Sequence, residues 1–208
     1  MRLFSRSAAP RHDLTLEGGN LLIRPPQMAD FNQWATLRAQ SRAFLQPWEP
    51  TWPADDLTKA AFRRRITRYQ RELDKDEAYP FFLFSTETGA LLGGLNLTNI
   101  RRGAASMATL GYWMGAPHAG KGHMSAAVDA IVILATTALQ LRRIEAACVP
   151  ENAVSIRLLE KAGFVQEGYA REYLLIDGRW RDHLLFAAVA TQGCAAQAVA
   201  AQGIDRVL

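Results

Sequence analysis

The chain has 208 residues, 49% hydrophobic and 21% charged, a length and balance that suit one domain with a sizeable core rather than two. Its 24 basic and 20 acidic residues leave a formal charge of +4, too mild an excess for a dedicated nucleic-acid binder, so no direct DNA binding is expected. No cationic start leads into an apolar stretch and cleavage site, and the 2 cysteines, Cys148 and Cys194, lack metal-ligand spacing; the expectation is a cytoplasmic protein with no membrane span, disulfide framework or metal.

In chain order, residues 1–12 are polar and irregular, and residues 14–16 and 21–24 read as short strands around a turn at Glu17-Gly18-Gly19-Asn20. Pro25-Pro26 ends the second strand. Asp30 is placed to cap a helix carrying Phe31, Trp34, Leu37 and Arg38 and running to about Phe44, before the proline-locked aromatic loop Gln46-Pro47-Trp48-Glu49-Pro50. Asp55 or Asp56 starts the next helix, which runs to about Lys75. Its arginines at 63, 64, 65, 68 and 71 oppose an apolar face of Ala61, Phe62, Ile66 and Tyr69, a pattern that suits a solvated helix face better than an RNA contact.

Extended runs follow at 80–86, 90–99 and 106–114, separated by turns at Glu87-Thr88-Gly89 and Arg101-Arg102-Gly103, which predicts an antiparallel meander. Then come a helix over 122–140, a strand over 143–149, a helix over 152–162 stopped by Gly163, and strands over 164–176 and 180–189 joined by Asp177-Gly178. Helices alternate with strands only in this second half, so the fold class is α/β with a mixed sheet. The alanine- and glutamine-rich tail, 191–208, has a partial helical pattern.

The stretch 111–125 is a strand that breaks into a glycine-rich loop and opens an apolar helix. Free N–H groups at a helix start, backed by the helix dipole and unshielded by side chains at Gly120 and Gly122, bind anions well. By itself Gly120-Lys121-Gly122 fits a simple strand-to-helix turn equally well, because it lacks the spacing of a Walker A loop or a dinucleotide fingerprint. A second motif follows one strand later: Pro150-Glu151-Asn152-Ala153-Val154-Ser155, then Glu160-Lys161-Ala162-Gly163-Phe164. Here Asn152 can cap its helix, with Ser155 three residues on facing the same way.

In this order the two segments resemble the GNAT superfamily of acetyl-CoA-dependent N-acyltransferases. The segments 44–50 (Phe-Leu-Gln-Pro-Trp-Glu-Pro) and 168–183, from Gly168-Tyr169-Ala170-Arg171-Glu172-Tyr173 to Trp180-Arg181-Asp182-His183, resemble the RimJ/RimL-type ribosomal-protein alanine N-acetyltransferases, closest to the RimJ type. The resemblance covers 13–190, leaving 1–12 as an extension and 191–208 as a tail. It implies a mostly antiparallel mixed sheet with a splayed parallel strand pair, flanked by helices, and acetyl-CoA as cosubstrate without a metal. It places Trp113 and Met114 main chain along the pantetheine arm, and Ala119, Gly120, Lys121, Gly122, His123, Met124 and Ser125 around the pyrophosphate. Ala119 and Met124 depart from the superfamily loop, which carries Gln or Arg at the first position and Gly or Ala at the last. Asn152 would contact pantetheine, and Ser155 would protonate the leaving sulfur.

Acetyl transfer from an activated thioester needs an aligned neutral amine, an oxyanion donor and an acid for sulfur, with no covalent intermediate. An α-amine titrates near ~8 and lysine near ~10.4, so an N-terminal acceptor is neutral in roughly a tenth of molecules at neutral pH. By resemblance, the Met114 amide is the oxyanion donor. Glu49, stiffened between Trp48 and Pro50, is the first candidate base, and Trp48, Glu49, Glu172 and Tyr173 are candidates to line the acceptor site. His118, His123 and His183 also have suitable chemistry, the first two beside the phosphate loop. Resemblance supplies the acceptor class, the N-terminal alanine of a ribosomal protein, with ribosome association as a further possibility. A small-molecule amine acetyltransferase and a CoA- or ribosome-binding module with little turnover are the alternatives. Asp74, Asp76 and Glu77 would form an acidic approach for a basic substrate if they fold beside the acceptor channel.

Overall fold

In the computed structural model, which describes residues 14–190, eight strands form one sheet in the order β1-β2-β3-β4-β5-β6-β8-β7. They are β1 (Leu16–Gly18), β2 (Leu21–Arg24), β3 (Tyr79–Ser85), β4 (Leu91–Arg101), β5 (Met107–Met114), β6 (Arg143–Cys148), β7 (Val165–Ile176) and β8 (Arg179–Val189). The helices are α1 (Phe31–Gln40), α2 (Arg42–Leu45), α3 (Lys59–Asp74), α4 (His123–Thr137) and α5 (Ala153–Lys161). The tail over 191–208 and the extension over 1–12 lie outside the described residues. No helix among the described residues is long and apolar enough to cross a membrane.

The run Phe81-Phe82-Leu83-Phe84 shows why the sheet is covered on both sides. Successive strand side chains point to opposite faces, and all four are buried. Phe81 and Leu83 join the larger core with Val128, Ile131 and Leu134 of α4, while Phe82 and Phe84 join Trp34 of α1 and Phe62 and Ile66 of α3.

One helix cap and one helix start differ from the sequence expectation. Asp30 does not cap α1: it is buried, and its carboxylate accepts from the Arg24 guanidinium (2.6 and 2.9 Å) and the Gln27 N–H (2.7 Å). The helix expected from Asp55 or Asp56 begins at Lys59, because extended Thr58 (φ −80, ψ 152) turns its hydroxyl to accept from the Ala61 N–H. Asp55 and Asp56 instead reach Arg64 and Arg65, and Arg68 pairs with Glu72. These ion pairs agree with a solvated arginine face. The helix expected to run to Phe44 breaks at Ser41, whose buried hydroxyl accepts from the Ala116 N–H at 2.9 Å and so ties the end of α1 to the loop after β5.

β5 and β6 are the parallel pair, bridged by α4, and their pairing stops after Thr109 and Glu145. β5 continues along β4 to Met114 while β6 continues along β8 to Cys148, so each strand is held on its outer edge and the inner edges part. The Gly115 N–H donates to the Leu92 carbonyl, and the same register makes Gly94 and Trp113 a hydrogen-bonded pair. Tyr112 and Met114 alternate with it and turn their N–H and C=O groups into the opening. Expected contact through Trp113 main chain is thereby corrected: those groups face β4, and Tyr112 stands in the open position instead.

Gly93 permits the close approach of β4 to this edge. A Cβ there would lie 2.5 Å from the Trp113 carbonyl oxygen and 3.2 Å from the Met114 Cα, both backbone atoms that move only with the strand. Gly93→Ala is expected to lose about 2 kcal/mol of stability by overpacking, read as a lower urea midpoint, with weaker coenzyme A binding by calorimetry. An unchanged midpoint would contradict this tight approach.

Candidate active site

Two cavities open on the divergent strands. The first, about 440 Å³, runs from Tyr112, Trp113 and Met114 along the loop 118–125 to the start of α5. It gathers every expected donor-side residue: Trp113, Met114, Ala119, Gly120, Lys121, Gly122, His123, Met124, Ser125, Asn152 and Ser155. Gly120 (φ 73) and Gly122 (φ 82) are left-handed, with open space where a Cβ would stand. α4 begins at Gly122 with no side-chain cap, and the N–H groups of residues 120–125 donate to no described main chain or side chain. Such a cluster of free amides at a helix start is an anion cradle. Lys121, Arg157 and Lys161 add positive charge around it, and His118 and His123 also line it. Burial pushes the His118 imidazole below its ordinary value, and neighbouring Lys121 and His123 push it the same way.

Sequence reading missed Arg157 and Lys161. Their spacing of four on a helix that starts at Asn152 puts both on one face, and that was the available signal. It also missed Tyr112, whose role depends on a contact across 43 residues of chain. The Tyr112 hydroxyl lies 2.6 Å from Ser155 Oγ. Ser155 is fixed from behind, its N–H donating to Asn152 Oδ1 at 3.1 Å as Asn152 caps α5. Burial raises the Tyr112 phenol to about 12, outweighing the Ser155 hydrogen bond, so it stays protonated across neutral pH. The neighbouring Cys148 thiol, buried and free, is likewise pushed up by burial.

The second cavity, about 640 Å³, shares Trp48, Tyr112, Asn152 and Ser155 with the first. The hydroxyl pair therefore stands where the two meet. Its remaining wall is mostly apolar and aromatic, with Pro50, Tyr173, Leu175 and Trp180, and also holds Cys148 and His183. Residues 46–50 and 168–183, far apart in sequence, meet here because the β7–β8 turn docks on the proline loop. The Asp177 N–H donates to the Glu49 carbonyl at 2.9 Å, and Gln46 Nε2 donates to Asp177 Oδ1 at 2.9 Å. Asp177 and Gly178 both have positive φ, as a two-residue turn of this hand requires.

Tyr173 lines the second cavity; Glu172 lines neither. A bulge between Ala170 and Leu174 puts Glu172 at φ 46, exposed, with its N–H donating to Asp182 Oδ1. Glu49 borders the first cavity, but its carboxylate is engaged. Arg38 Nη1 and Nη2 donate to its two oxygens at 2.7 Å each, and Trp52 Nε1 adds a third bond at 2.7 Å. Arg38 lies between the rings of Trp52 (4.0 Å) and Trp113 (4.9 Å). A carboxylate holding a bidentate arginine is a loop anchor rather than a free proton acceptor, which corrects the expectation that Glu49 is the base. The acidic approach is also corrected: Asp76 is bonded to Arg102 and Tyr79, and Asp74, Asp76 and Glu77 line neither cavity. Among the described residues no three His, Cys, Asp or Glu side chains are grouped to hold a metal.

Residues 20–165 match the acetyltransferase (GNAT) domain. The chain is 40% identical over 172 residues to a probable N-acetyltransferase, YjcK, of Bacillus subtilis, covering 83% of this chain and 95% of that protein. It is 35% identical over 182 residues to the ribosomal protein uS5-alanine N-acetyltransferase of Escherichia coli, covering 88% and 93% respectively. Among solved structures, Mycobacterium smegmatis RimJ in complex with CoA-disulfide superimposes with a TM-score of 0.81 at 33% identity, over 92% of this chain and 93% of that one. With the splayed parallel strands, the amide cradle and this likeness over most of its length, the chain belongs to the GNAT acetyltransferase family.

Proposed function

We propose that this acetyltransferase transfers acetyl from acetyl-CoA to the N-terminal α-amine of a protein, foremost an alanine-initiated ribosomal protein, by direct attack without a covalent intermediate. The observation that carries the reading is the meeting of a cation-rimmed amide cleft and an aromatic cavity at one hydroxyl pair, Ser155 and Tyr112. The likeness to the uS5-alanine N-acetyltransferase of E. coli supports the acceptor class.

The residues fit the donor. Six free amides and the basic rim suit a pyrophosphate, and the outward N–H and C=O of Tyr112 and Met114 suit an extended arm lying beside β5 as an added strand. Neither needs a particular side chain at Ala119 or Met124. Bound there, acetyl-CoA supplies an already activated thioester carbonyl. Asn152 positions the arm, and the Met114 N–H donates to the carbonyl oxygen as charge develops on it. Ser155 gives its proton to the departing sulfur, while the protonated Tyr112 hydroxyl supports the serine oxygen. Arg38 and Glu49 hold Trp48 in the wall shared by both cavities, and Tyr173 lines the acceptor side.

Mass spectrometry of peptides with free alanine, serine and methionine N-termini, beside internal-lysine and small-amine controls, tests the reading. The expected result is acetylation of the alanine α-amine at the highest rate. Transfer confined to lysine or small amines would overturn the acceptor, and absence of transfer to any amine would favour a binding module.

A further inference from the structure

Among the described residues the acceptor-side cavity has no carboxylate in its wall, although the amine that enters it is mostly protonated at neutral pH. Its titratable side chains come from four strands: Tyr112 of β5, Cys148 of β6, Tyr173 of β7 and His183 of β8. Tyr112 and Cys148 are both raised by burial and hold their protons. From α5 come the hydroxyl of Ser155 and, just before it, the amide of Asn152; the loop 46–50 contributes Trp48 and Pro50, with the Glu49 carboxylate turned onto Arg38. Beside His183 on its own strand, Arg181 is paired with Glu151 at 2.9 Å.

His183 is 3% exposed and packs edge-to-face on Tyr173, with centroids 5.6 Å apart. Its Nδ1 lies 2.9 Å from the Arg181 carbonyl oxygen. A carbonyl only accepts, so Nδ1 carries the N–H and Nε2 keeps the lone pair. Among the described residues, Arg38 Nε is the one fully enclosed side-chain nitrogen or oxygen without a hydrogen-bond partner. Nε2 of His183, which bonds no group among the described residues, is therefore not fully enclosed by them, and the space the residue lines is this cavity.

We propose that His183 Nε2 takes the proton from the acceptor ammonium in this cavity, a role that rests on the reading of the cavity as the amine site. One N–H bond of the ammonium breaks as Nε2–H forms, and the freed nitrogen lone pair makes the C–N bond to the acetyl carbon. The C–S bond breaks with its electron pair on sulfur, which takes the Ser155 proton. The second amine proton leaves to solvent or restores Ser155. The imidazolium so formed stays beside the Tyr173 ring, with the two centroids 5.6 Å apart.

His183→Asn keeps a donor for the Arg181 carbonyl and removes the basic nitrogen. His183→Gln puts an amide near Nε2 that cannot take the proton. With an alanine-initiated peptide, both variants are expected to lower kcat/KM about 100-fold at neutral pH and to move the acidic limb of its pH profile upward until it follows the titration of the free α-amine, while Glu49→Gln leaves the limb where it is in wild type. Coenzyme A affinity, followed by tryptophan fluorescence, and the melting profile are expected to stay near wild type. The defect is expected to disappear with a peptide in which aza-alanine replaces the first residue, so that a hydrazide NH2, neutral at the assay pH, stands in place of the N-terminal ammonium. An unchanged pH profile, or an equal loss with the hydrazide, would overturn the proposal. Should the wild-type enzyme accept a different amine, the acceptor reading fails by itself, and the same variants on that amine decide the role of His183.

Discussion

Ser155→Ala is expected to lower kcat about 100-fold while leaving the KM for acetyl-CoA nearly unchanged, because a proton given to sulfur matters only as the C–S bond breaks. Steady-state thiol release measures both constants. Tyr112→Phe keeps the ring packed and removes only the hydroxyl 2.6 Å from Ser155, so a smaller loss, about tenfold, is expected. The pair shares one hydrogen bond, and the double variant should be little worse than Ser155→Ala. A kcat for Ser155→Ala within a factor of about two of wild type would remove the serine from the chemistry and leave it as part of the α5 cap.

The second large effect is expected at Arg38, whose side chain is 7% exposed and forked onto Glu49. Arg38→Met strands a carboxylate at 20% exposure, and breaking such a pair costs about 3 kcal/mol, or roughly 10 °C in melting temperature for a domain of this size. Arg38→Lys should recover little, since an ammonium cannot reproduce the two parallel bonds. The double variant Arg38→Met with Glu49→Leu is expected to melt well above either single one, because an apolar pair leaves no charge without its counterpart. The same loop carries Trp48, so the acceptor KM should rise in the single variants. Melting of Arg38→Met within a degree or two of wild type would show that the loop is held by packing alone.

Both effects concern contacts that local pattern did not reveal, while much of the rest was legible. Alternation and turn residues located every strand of the sheet to within a few positions, because a strand's period of two and a Gly turn are encoded by neighbours in the chain. The Gly120-Lys121-Gly122 loop and Asn152 with Ser155 were legible for the same reason: a free helix start and a cap are properties of a few consecutive residues. The side-chain cap at Asp30 and the helix start at Asp55 were misread because the carboxylates found arginines, at Arg24 and Arg64, that compete with the capping role.

By itself the sequence determined the element order, the glycine-opened start of α4 and the resemblance to GNAT acetyltransferases. Only the tertiary structure decided which backbone groups face the cleft, since the register against β4 turns Tyr112 and Met114 outward and Trp113 inward. Packing likewise decided that Glu49 is an anchor, that Tyr112 meets Ser155, and that His183 lines the second cavity with one nitrogen unbonded among the described residues. These are contacts between segments up to 131 residues apart, as at Gln46 and Asp177. Their geometry comes from the shared sheet and its closure, which local spacing along the chain does not encode.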